Sequence, residues 1–391
     1  MKKTIIIVAS LVILSALVGG YFFHLRSGAT PPPPPSAKVI YKVKHADDPS
    51  GGQGKTEYHA VNFDGSNDAI IYTIDFGGNP TLLDHTGILV GTHIFDATGK
   101  SLNDQYKNLG FDEQMLSLSS AGSPVYSADK NLLALFFVSE ATTSSRSIEI
   151  EILNLANGGI EKYLCEACTS YQPDVKSLDG FSSDGKKLYY SLRKNPTPQS
   201  RPEPDERFFT LDVANGEIKE INFPWQRGDY DTVFPSLGRA VKITNPVGLS
   251  PQGSKTALSM VNLSDFSQKY LNDDSIISTH PIFNGTDIVY TTYRMTTATS
   301  GVQEIMGVNS STGAEYDIIS AAAFDHPHDA IIVLHDFVPN SRVFLYEVVG
   351  GGLSSEIRVH NIDTREDRSL LEIKNAGDRT TDTKQFIGVI F

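Results

Sequence analysis

From Lys38 to the C-terminus, short runs rich in Val, Ile, Tyr and Phe alternate with clusters of Gly, Asn, Asp, Ser and Pro. Residues 39–43, 132–138, 188–192, 288–293 and 343–349 are such runs. Their length, their β-branched and aromatic content and the turn clusters that bound them predict β-strands, and almost no stretch carries the spacing of an amphipathic helix. Ahead of them lies one continuous apolar run, opening at Thr4 and closing at Phe23 without a charge. Rising ~1.5 Å per residue, that run spans a hydrocarbon core of roughly 30 Å and predicts a transmembrane helix. Gly28, Ala29 and Thr30 then lead into five prolines, Pro31 to Pro35. Fixed φ and missing donors make these a polyproline II rod, a stalk of roughly 15 Å. Three units follow: a membrane anchor over 1–27, a Pro-rich linker over 28–37, and an all-β domain over 38–391.

The predicted strands repeat at two levels. At the first, a turn leads into a buried strand: Phe181-Ser182-Ser183-Asp184-Gly185 before Leu188, Tyr126-Ser127-Ala128-Asp129 before Leu132, and Leu249-Ser250-Pro251-Gln252-Gly253 before Thr256. Looser copies precede Ile88, Ile288 and Val343. At the second, an alternating strand ends in a polar turn such as Ala156-Asn157-Gly158-Gly159, Ala214-Asn215-Gly216 or Ser310-Ser311-Thr312-Gly313. Gly, Asn and Asp suit the positive-φ positions of tight turns, so each copy joins two antiparallel strands. Four strands per unit is the unit of a propeller blade. Asp68-Ala69-Ile70-Ile71 and Asp329-Ala330-Ile331-Ile332 read as a third echo, between the first and last units.

The turn–strand units resemble those of TolB-type β-propellers, whose repeats carry F/P-S-x-D-G-x-x-aliphatic-aromatic; residues 181–190 match best. The resemblance covers most of 80–373 and implies a β-propeller of six or seven four-stranded antiparallel blades. Six turn anchors give six blades. Strands at 39–43, 57–63 and 385–391 remain, either for a seventh that mixes both chain ends, the usual remedy for exposed edges, or as extra strands on the sixth. TolB proteins are soluble periplasmic partners of an envelope complex; the anchor and stalk here depart from that, so their partner is not carried over. Segments 195–206 and 224–242 are expected to be surface loops.

Charge and chemistry narrow the function. A net charge of −13 argues against nucleic-acid binding, which needs clustered Lys and Arg. Lys2 and Lys3 hold the N-terminus in the cytoplasm, so the expected location is single-pass in the cytoplasmic membrane with the bulk extracytoplasmic. A cleaved signal peptide ending near Val18-Gly19-Gly20 is the alternative. Gly51-Gly52-Gln53-Gly54-Lys55-Thr56 lacks the first glycine of a phosphate-binding loop and precedes a predicted strand, so it implies no nucleotide or other cofactor. Cys165 and Cys168, the two cysteines, predict a local disulfide in an oxidising compartment; free or redox thiols and a metal site are the alternatives. His326 and His328 would share one face of an extended segment, which suits a transition metal; against this, His280-Pro281 has a similar place in the preceding unit and suggests a recurring turn residue. Catalytic signatures such as G-x-S-x-G or H-E-x-x-H are absent from the sequence. The expected function is therefore a binding or scaffolding module for a protein or glycan at the envelope. A carbohydrate-active enzyme with its site at the channel, and a solute or metal sensor using His326 and His328, are the alternatives. Trp225, with Arg227 and Tyr230, is the candidate recognition loop; burial as a core plug is the competing reading.

Overall fold

The computed structural model describes residues 37–45, 54–75, 80–83, 87–91, 93–104, 124–129, 131–139, 147–171, 175–194, 205–221, 230–244, 256–275, 277–295, 301–320, 331–338, 340–349, 354–374 and 383–390. They form a propeller of seven antiparallel sheets.

Blade 1 joins both chain ends: β1 (Lys38–Lys44), β2 (Thr56–Asn62) and β3 (Ala69–Ile74) are completed by the final strand, β27 (Thr383–Ile390), which pairs along β1. Blade 2 has three strands among the described residues, β4 (Pro80–Leu83), β5 (Gly87–Val90) and β6 (His93–Phe95). A bridge from Phe95 to Ser101 begins the return of a fourth. Blade 3 holds β7 (Val125–Tyr126), β8 (Leu132–Ser139), β9 (Ser147–Asn154) and β10 (Ile160–Leu164); blade 4 holds β11 (Val175–Phe181), β12 (Lys187–Lys194), β13 (Asp205–Asp212) and β14 (Ile218–Ile221). Blade 5 holds β15 (Tyr230–Phe234), β16 (Arg239–Thr244), β17 (Thr256–Asn262) and β18 (Gln268–Ser275). Blade 6 holds β19 (Ile277–Phe283), β20 (Asp287–Met295), β21 (Gly301–Asn309) and β22 (Glu315–Ile319). Blade 7 holds β23 (Ile331–Phe337), β24 (Val343–Val349), β25 (Ser354–Asn361) and β26 (Asp367–Lys374). The closure by β27 settles the count at seven.

Each sheet is apolar on both faces, and neighbouring blades bury those faces against one another. Seven buried clusters occupy the seven interfaces, the last uniting Val39, Val43 and Val389 of blade 1 with Val343, Leu345 and Ile357 of blade 7. Ring closure is what removes the exposed faces that a linear stack would leave. The second strands lie deepest. Tyr41, Tyr190, Tyr290 and Tyr346 are fully buried there. A buried phenol favours a partner, and three of these four have one, the Tyr190 hydroxyl having none among the described residues. Tyr41 donates to Asp68, Tyr290 to Glu315 and Tyr346 to Asp367, acids that begin or immediately precede the fourth strand of the same blade.

The turns follow from short polar side chains. In blade 4, Ser182 Oγ donates to Asp184 Oδ1 at 2.7 Å, and that carboxylate also accepts the Lys186 amide, while Gly185 sits at φ +68°. Ser127 and Asp129 repeat the arrangement in blade 3. These donors hold both carboxyls below the usual carboxylate range, the serine hydroxyl first in each. The turn from third to fourth strand is more regular still. Asp96, Asn154, Asp212, Asn262, Asn309 and Asn361 each accept, on Oδ1, the amide two residues ahead.

Three sequence expectations need correction. The Leu249 motif does not join the first and second strands of its blade; it falls between β16 and β17, and 245–255 lies outside the described residues. The true joining turn is Phe234-Pro235-Ser236-Leu237-Gly238, with Gly238 at φ +61°. Segment 224–242 is accordingly no surface insert throughout: Tyr230–Phe234 and Arg239–Thr244 are paired strands of blade 5. The Asp68 and Asp329 echoes fall on unlike strands, the outermost of blade 1 and the first of blade 7, so they mark no equivalent position.

Candidate interaction face

Strand polarity sorts every connection onto one of two ends. The stitching is explicit in blades 3 to 7, where the amide after the third strand donates back to a carbonyl just before the second. These bonds are Leu155 to Asn131, Val213 to Lys186, Leu263 to Gly238, Ser310 to Thr286 and Ile362 to Arg342, at 2.7–3.1 Å. Both tight turns of a blade therefore share one end. Neighbouring blades agree on that end. Tyr163 donates to the Val213 carbonyl of the next blade, Lys269 to the Ser310 and Ser311 carbonyls, and Asn284 to the Ser341 carbonyl. The strands that flank 46–53, 195–204, 222–229, 245–255 and 320–330 start and stop at the opposite end. These five connections leave from that face.

Described residues at the long-connection end carry exposed apolar and ionisable side chains. Leu164 closes β10 half exposed, and Ile331 opens β23 at 55% exposure. His45 and Glu57 face each other at 3.0 Å beside the mouth of the 46–53 connection. Between blades 3 and 4 the chain forms a short helix, α1 (Glu166–Tyr171), a local element that the sequence pattern did not predict. Cys165 and Cys168 are bonded across its first turn, with Cα atoms 5.2 Å apart, and both are buried against Leu178 and Phe181 of blade 4. The Cys168 amide donates to the Cys165 carbonyl at 3.0 Å. The bond thus fixes the entry to blade 4.

Of the remaining sequence candidates, Tyr230 opens β15, the first strand of blade 5. Trp225, Arg227, His326 and His328 lie outside the described residues, as do the apolar run from Thr4 to Phe23 and the proline stalk. His280 and Pro281, expected in a turn, lie inside β19 where its pairing with β20 shifts register between Ser278 and Ile282. A bulge accommodates the missing proline donor. Among the described residues, no group of three or more His, Cys, Asp or Glu is placed to hold a metal ion. Among those same residues no helix is long and apolar enough to cross a membrane.

No protein-family model and no curated protein matches this chain. Solved structures similar to it are propellers. TolB from Acinetobacter baumannii shares 16% identity over 78% of this chain and 66% of its own, with a TM-score of 0.38. The β-propeller domain of the Trilobed protease from Pyrococcus furiosus shares 12% over 85% and 81%, at 0.44. Prolyl oligopeptidase B from Galerina marginata shares 13% over 88% of this chain but 44% of its own, at 0.47. The chain thus spans just under two thirds of TolB and less than half of the peptidase. The fold is of the β-propeller class, and TolB, whose repeats the sequence resembles, is among its structural neighbours. At such identities the likeness is one of fold alone.

Proposed function

We propose that this chain is a membrane-anchored, extracytoplasmic propeller that binds a protein or glycan partner through its long-connection face. The observation that supports this reading is chain polarity. Lys38 pairs with Asn62 and Ile390, level with the tight turns, so the tether preceding it leaves from the tight-turn face. With the run from Thr4 to Phe23 in the bilayer and the prolines as a spacer, the long connections point away from the membrane. Irregular connections carried on a rigid scaffold are the usual place for recognition. The tight-turn face, built from short Asx and Ser-Asp turns, offers little adaptable surface.

Two measurements test it. The full-length chain is expected to stay with membranes through alkaline carbonate washing; release into the supernatant would remove the anchor from the reading. Captured from envelope extracts, the wild type should retain a partner that is lost when 195–204 is replaced by Gly-Ser repeats. Variants of Ser264 and Ser311, on the tight-turn face, should keep it. Equal loss from both faces would overturn the assignment.

A further inference from the structure

Blades 1 and 7 carry the same four-residue arrangement with one substitution. In blade 7, Arg358 donates from Nε to the Tyr346 hydroxyl at 3.0 Å, from Nη2 to Asp367 Oδ2 at 2.7 Å, and from Nη1 to Glu356 Oε2 at 2.9 Å. Tyr346 in turn donates to Asp367. In blade 1, His59 stands where Arg358 stands, directly across from Tyr41 as Arg358 is from Tyr346. Its Nδ1 lies 3.1 Å from Asp68 Oδ1 and 3.3 Å from the Tyr41 hydroxyl, and its Nε2 lies 3.5 Å from Glu57 Oε2. Tyr41 donates to Asp68. Glu57 precedes His59 by two residues, as Glu356 precedes Arg358.

We propose that the blade 1 arrangement is a titratable version of the blade 7 latch, so that protonation of His59 tightens the blade that closes the ring. A guanidinium is charged at every accessible pH. An imidazole donates from both nitrogens only as the cation; the neutral ring sets a lone pair against one of its two carboxylates. Blade 1 is where this matters most, because β27 and β1 hold the propeller shut.

The other ionisable groups around His59 fit the same direction. On its own blade, His45 lies 3.0 Å from Glu57, and the Lys384 ammonium of β27 sits 5.5 Å over the Tyr41 ring. Blade 7 contributes His335, 3.4 Å from Glu347 and with its ring tilted 39° against that of Phe386, the residue opposite Tyr41 on β27. Glu57 is held below the usual carboxylate range by the His45 hydrogen bond first, against burial, and Glu347 by His335 first. Depressed carboxyls contribute above their unfolded values of ~4.3 and lose that contribution as pH falls through the folded value. The doubly donating imidazolium that joins such carboxylates forms only toward the acid side of neutrality, so the seam is tightest in mildly acidic solution and loosens as pH rises toward 8.

The test is hydrogen exchange of the full-length chain in detergent, read on peptides from β1 and β27 after correction for intrinsic rates. Peptides from blade 4, whose residues 175–221 contain no histidine, are the internal reference. Protection of β1 and β27 relative to blade 4 is expected to fall about tenfold from pH 5.5 to pH 8, the effect of losing roughly one charge-assisted hydrogen bond. His59→Arg should clearly reduce that dependence while keeping high protection at pH 8, the remainder coming from the His45 and His335 pairs, and His59→Gln should show low protection at both. Should His59→Gln not fold, Glu57→Gln carries the same prediction of a reduced pH dependence. A wild-type ratio that does not change with pH would overturn the proposal, as would a His59→Arg chain that responds as strongly as the wild type.

Discussion

Asp287 is the most consequential single carboxylate among the described residues, and its replacement can be worked through from the structure. Its side chain is fully buried at the start of β20 and accepts Arg342 Nε at 2.7 Å and Nη2 at 3.1 Å from blade 7, and the Tyr316 hydroxyl at 2.8 Å. Arg342 also reaches Asp363 at 2.5 Å. Burial opposes the Arg342 charge, but Asp287 outweighs it and holds the guanidinium firmly protonated; burial and Asp287 together push the Tyr316 phenol up. Gly307 makes the approach possible, since a Cβ there would meet the Tyr316 ring at 2.5 Å. Removing one partner of a buried pair typically costs ~3–5 kcal/mol. Arg342 is 35% exposed and recovers some hydration and its Asp363 partner, so Asp287→Asn should cost about 3 kcal/mol. With ~2.1 cal/mol/K of unfolding entropy per residue over roughly 350 residues, that is a drop of about 4 °C in Tm. The assay is a double-mutant cycle of Asp287→Asn with Arg342→Met, followed by urea denaturation. A coupling energy of about 2 kcal/mol is expected. Coupling below ~0.5 kcal/mol would mean that the Asp287–Arg342 pair adds nothing to the docking of the two blades, and the clamp argument would be wrong.

Two further outcomes follow from local geometry. Replacing Cys165 and Cys168 together by Ser removes a loop constraint worth ~2 kcal/mol on chain-entropy grounds; calorimetry should find Tm lower by about 3 °C, and no change would refute a stabilising role. Arg365 occupies φ +58° in a turn where blades 3, 4 and 6 place Gly158, Gly216 and Gly313 at +73° to +74°. Arg365→Gly should therefore raise stability by roughly 0.5–1 kcal/mol in urea titration, and a loss would show that the exposed Arg365 side chain makes up for its strain.

The sequence on its own determined the strands, because burial between two blades forces short, continuous apolar runs that need no distant information. It also exposed most turns, since Ser182, Asp184 and Gly185 satisfy their backbone locally, as do Asn309 and Gly313. The signal overlooked was the Asx residue closing each third strand: Asn262 with Phe266 at φ +56° would have placed blade 5 correctly, where the Leu249 motif misled. Which turn joins which strands depended on pairing between β15 and β16, a contact that leaves no trace in a local pattern. The latch and clamp residues were invisible for a related reason. Tyr41, His59 and Asp68 come from three strands, and Asp287 and Arg342 from two blades; only the tertiary fold sets their charges within hydrogen-bond reach. The end of the ring at which Lys38 enters was likewise decided by its register against Asn62. Local sequence fixes strands and turns because their hydrogen bonds close within a few residues, whereas electrostatic partnership depends on where the ring closes.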